Sequence, residues 1–160
     1  MTAASAEFTL VRSKPYRPIL VAGLVAGALD ITAAFINSGL KGTSPMRVLQ
    51  SIASGLLGAD SYTGGLRTAL LGAMVHFLIA FMAATVYYAA SRKVEFLKER
   101  AVISGLLYGV AVYLFMYLVV LPLTFHRGFF HPLSAVLTGL TIHMLCVGLP
   151  ISLAVSRFSK

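Results

Sequence analysis

Four apolar stretches, each close to twenty residues, constrain this 160-residue chain more than any other feature. They run from about 19 to 38, 66 to 90, 101 to 121 and 133 to 155. At about 1.5 Å of rise per residue, a helix of that length crosses roughly 30 Å of hydrocarbon. Composition points the same way. The chain is 58% hydrophobic and 11% charged, where a soluble domain carries about 25% charged residues. The expected fold is all-α: a polytopic membrane protein whose four transmembrane helices form one bundle over residues 18–157, behind a polar tail at 1–17. The first apolar stretch exceeds a signal-peptide core and lacks a small-x-small cleavage site, so it reads as an uncleaved span.

Charge sets the expected topology. There are 13 Lys and Arg against 5 Asp and Glu. Arg12, Lys14, Arg17, Arg92, Lys93, Lys98, Arg100, Arg157 and Lys160 fall on one side of the spans. Only Lys41, Arg47, Arg67 and Arg127 fall on the other. The richer side is expected to be cytoplasmic, which places both termini there. Basic residues between and outside apolar runs suit anionic lipid head groups in the bilayer surface, not nucleic acid. The lone Cys146 excludes an intrachain disulfide and reads as a small apolar filler.

Between the first two spans lies "TSPMRVLQSIASGLLGAD". Ser44-Pro45 is a helix start, a capping side chain followed by proline. Met46, Leu49, Ile52, Ala53 and Leu56 share one face, and Arg47, Gln50, Ser51 and Ser54 the other. The segment at about 45–58 is too short to span. It reads as an amphipathic helix on the outer membrane face, with a re-entrant or gating segment as the alternative.

The chain also repeats itself in two-plus-two fashion. "GLVAG" at Gly23–Gly27 opens the first span and "GLLYG" at Gly105–Gly109 opens the third. Gly72 precedes His76 by four residues in the second span, as Gly139 precedes His143 in the fourth. These six glycines are expected helix-packing residues, because small residues let backbones approach in lipid. A homodimer contact is the alternative use. The order of GLxxG helix, outer segment, Gly-xxx-His helix and basic loop, given twice, resembles the YagU-like family of bacterial inner-membrane proteins. The resemblance covers about residues 19–155. It implies a four-helix protein of the inner membrane and carries no activity.

Three side chains stand out within the apolar runs. Asp30 lies in register with Gly23 and Gly27, facing the expected bundle interior. A mid-span carboxylate costs roughly 2.5–3.5 kcal/mol on insertion scales, so it marks a proton or ion site or a buried pair. His76 and His143 each lie about ten residues into their spans, at a depth matching Asp30, with Thr32, Thr141, Tyr113 and Tyr117 nearby. Such a cluster could relay protons, hold a transition metal, ligate haem between the two imidazoles, or simply satisfy backbone carbonyls. A further loop, "PLTFHRGFFHPL", carries His126, Arg127 and His131, which with Arg67 could form an outer mouth. Its aromatic residues otherwise read as interfacial anchors. No nucleophile elbow, zinc-protease motif, cysteine pair or phosphate loop occurs, so an enzyme is not expected. The readings left open are a small proton, ion or solute transport or channel subunit, expected to be oligomeric because four helices enclose little space, and a non-transporting protein that binds haem or metal or supports the envelope.

Overall fold

A computed structural model describes residues 16–125 and 132–159, and these are helical with short turns and no strand. The first span is α1, Tyr16–Gly39. A turn with Gly42 at φ 80° leads to α2, Pro45–Leu57. The second span is α3, Gly65–Ser91, and the short α4, Phe96–Glu99, links it to the third. The third span, Ala101–Thr124, begins as α5, Ala101–Phe115, loosens into a π turn at Met116–Val120 and resumes as α6, Leu121–Phe125. The fourth, Leu133–Phe158, is α7, Leu133–Ile142, then a π turn at His143–Gly148, then α8, Leu149–Phe158. All four are long and apolar enough to cross a membrane, as in a multi-pass membrane protein. Large side chains such as Leu24, Met74, Leu107 and Leu123 are exposed around the bundle, where lipid tails would meet them.

The helices pack as two hairpins. The first and second spans cross each other, as do the third and fourth, and the first span joins the hairpins by packing along the fourth. The second and third spans meet far less closely. At the end holding Tyr16 and Phe158, the core is Ala22, Ala26, Ala84, Tyr87, Val147, Ile151, Ala154 and Val155. The Tyr87 hydroxyl meets the Leu97 carbonyl and Ser104 Oγ, each at 2.8 Å. Ser156 donates to the Lys98 carbonyl at 2.9 Å, so α4 is tied down by side chains beneath it. In lipid an unsatisfied polar group has no water to turn to, which makes these bonds necessary, not ornamental.

The start of α2 follows its sequence signal. Ser44 Oγ accepts from the Arg47 amide at 3.3 Å, and Pro45 stands first in the helix. Gly58, at φ 61°, ends it. Its buried face differs from the expected one. Gln50, expected on the polar face, is buried with Val48 and Ala53, while Leu56 is exposed. The reason is a hydrogen bond: Gln50 Nε2 donates to the Gly65 carbonyl at 3.1 Å, beside the bond which that carbonyl takes from Thr68 Oγ1. The helix lies against the second span. A Cβ on Gly72 would strike the Leu49 carbonyl, so the two backbones touch there. Gly72 is about two turns, roughly 10 Å, past the start of α3. Thus α2 runs beside the bundle as well as over its end.

Candidate functional site

The glycines of each hairpin decide what can face its interior. In the first, Gly23 and Gly27 lie under aromatic rings: a Cβ on Gly23 would meet Phe81, and one on Gly27 would meet Phe77 at 2.7 Å. In the second, a Cβ on Gly109 would sit 2.5 Å from the His143 carbonyl oxygen and the Met144 Cα, and one on Gly105 would meet Ser152. Gly148 lies against the Gly105 carbonyl and Gly109. The first hairpin is therefore spaced by rings and the second is closed on backbone. Gly139 lies under the Tyr113 ring, 2.8 Å from where its Cβ would be.

That spacing sets the fate of the two histidines. His76 reaches across to the first span and places Nε2 2.8 Å from the Gly27 carbonyl oxygen. A carbonyl only accepts, so Nε2 carries the hydrogen. Nδ1 then faces Asp30 Oδ2 at 4.0 Å. A bare Nδ1 lone pair facing a carboxylate is repulsive, whereas one proton on either group makes the contact attractive. The separation is that of an ion pair, too long for a direct hydrogen bond. His143 turns back on its own helix, with Nδ1 2.8 Å from the Gly139 carbonyl. It stands edge-on to Tyr113 at 5.4 Å, and Tyr113 stacks on Tyr117 at 5.7 Å.

All three polar residues border one cavity of about 290 Å³ at the centre of the bundle. Tyr113, Tyr117 and Met116 wall it from the third span, and Val48 and Ile52 from α2. The contribution of α2 was not legible from its pattern, since only the tertiary contact at Gly72 turns those residues inward. Thr32 and Thr141 donate instead to their own helices, at the Ala28 and Leu137 carbonyls. Arg67 is exposed and does not border the cavity. His126, Arg127 and His131 lie outside the described residues.

The cavity does not suit the cofactor readings. Among the described residues no three His, Cys, Asp or Glu side chains come together as a metal site. Asp30, His76 and His143 therefore share a cavity without forming a ligand set. Haem held between His76 and His143 would need a ring nitrogen of each turned to the iron. His76 has Nε2 on a carbonyl and Nδ1 on Asp30. Comparison with known proteins finds no matching family model, no matching curated protein and no matching solved structure.

Proposed function

We propose that this chain is a small proton-linked transport or channel subunit, and that the Asp30–His76 pair is its proton carrier. The observation that carries the reading is the bond from His76 Nε2 to the Gly27 carbonyl. It commits one nitrogen and leaves the other facing a carboxylate, at a central cavity in an apolar bundle. An intramembrane acid–imidazole pair is the usual form of a proton relay. The proposed setting is a bacterial inner membrane, with both termini cytoplasmic and the basic loops on anionic head groups. Likeness to the YagU-like family is part of the same proposal, and so is assembly into a homo-oligomer.

Proteoliposomes loaded with a pH-sensitive dye test it. Under an imposed pH gradient, wild-type protein is expected to collapse the gradient at least tenfold faster than Asp30→Asn. Equal rates in both, or no flux in either, would remove the proton-carrier reading. Reduced thermal stability in the variant with unchanged flux would assign Asp30 a structural role.

A further inference from the structure

The second and third spans are joined near one end by the Tyr87–Ser104 bond and further along by Tyr108, whose hydroxyl donates to the Ala83 carbonyl at 2.7 Å. Alongside that bond runs a groove of about 540 Å³, open along the side of the bundle. Met82, Val86, Ala111 and Phe115 border it, and all but its Tyr108 end is apolar. Met82, Val86 and Phe115 are exposed, on the surface that faces lipid. Four residues, Ile79, Ala83, Val112 and Met116, border both this groove and the central cavity. An apolar trough open to the bilayer thus adjoins the mostly apolar cavity that Asp30 borders.

We infer that the cavity and the groove form one site for a single-chain lipophilic cation, its head beside Asp30 and its tail between the second and third spans. The inference rests on the proton-carrier reading and names what the proton exchanges with. Charge selects the head. Among the described residues no Lys or Arg borders the cavity, Asp30 supplies the negative group, and Tyr113 and Tyr117 supply aromatic faces that attract cations. Shape selects the tail, because a groove this apolar has nothing to offer a second polar group. Cation and proton compete for Asp30. Binding of the cation releases the pair's proton to water, so affinity must rise with pH, and the coupling is reciprocal.

Among the described residues the other titratable groups around Asp30 are few. The second span contributes His76, the third Tyr113 and Tyr117, and the fourth His143 and Cys146. The α2 residues bordering the cavity, Val48 and Ile52, do not titrate.

The test is equilibrium binding of radiolabelled dodecyltrimethylammonium to the full chain in phosphatidylcholine nanodiscs at pH 6, 7 and 8. This probe has no titratable proton, so any pH effect belongs to the protein. Saturable binding that tightens several-fold from pH 6 to pH 8 is expected. Tetramethylammonium is expected to compete at least 100-fold more weakly, and dodecanol and dodecyl sulfate not at all. Asp30→Asn should lose at least tenfold in affinity, and Ala111→Trp, which fills the groove, a similar factor. Asp30→Glu should retain binding, which separates loss of charge from loss of fold. The pH dependence should survive His143→Asn; its disappearance there would move the proton to His143 and overturn the assignment. Absence of saturable binding, equal binding of dodecanol or dodecyl sulfate, or unchanged affinity in Asp30→Asn would each overturn the site. Nanodisc binding needs no gradient, so failure of this site and failure of proton flux are read separately.

Discussion

The two hairpins are built from the same glycine spacing and end up different. In the first, Phe77 and Phe81 stand on Gly27 and Gly23 and hold the helices apart. In the second, the positions matching those rings in the repeat are Met144 and Gly148, and the backbones close on Gly105 and Gly109. The wider crossing lets His76 pass between the helices to the Gly27 carbonyl and Asp30. At the tighter crossing His143 bonds within its own helix. Val112 also stands where the repeat would place an acid. A paired motif therefore marks paired positions in the chain, and what each histidine does is decided by the side chains that set helix separation.

The largest expected effect attacks the closed hairpin. Gly109→Ala drives a Cβ into backbone at His143 and Met144, which cannot swing aside, and should cost about 3 kcal/mol, the upper end for overpacking. The denaturation midpoint in mild detergent reads it. Next comes the contrast between histidines. His76→Ala removes an interhelical bond and leaves Asp30 unpaired, for a loss of about 2 kcal/mol, against about 0.5 for His143→Ala. Equal losses would mean that both histidines are merely local, and the contrast between the hairpins would dissolve. Gly27→Ala should cost only about 1 kcal/mol, because the Phe77 ring can turn away from the new methyl. A penalty matching that of Gly109→Ala would show that the rings are rigid spacers. Smallest is Tyr108→Phe, which removes one interhelical bond worth about 0.6 kcal/mol in a membrane setting. Its readout is the same midpoint, with probe binding in the groove as the sharper measurement.

Much of the architecture was legible in the sequence. Hydropathy alone separates four spans, and Ser44-Pro45 marks where α2 begins. Helical spacing put Asp30 on the Gly23 and Gly27 face, the face that meets the second span. What was not legible depends on contacts between distant segments. Gln50 reads as polar and solvent-facing until the Gly65 carbonyl is placed beside it. The partner of His76 is a backbone atom, which no side-chain pattern announces. Met82, Ala111 and Phe115 look like any lipid-facing residues until the gap between their helices is seen.

The π turn at His143–Gly148 has one more consequence. Met144, Gly148 and Ser152 meet the third span at steps of four, and the His143 carbonyl meets it as well. A π turn holds one residue more than the α turn it replaces. The wider turn thus acts as a vernier, taking up one surplus residue while Gly148 and Ser152 face Gly109 and Gly105. Deleting a single residue there would restore ordinary winding and is expected to leave α8 facing the third span. What this stretch has to keep is therefore its backbone contact at Gly109, more than its length or the identity of Leu145 or Cys146.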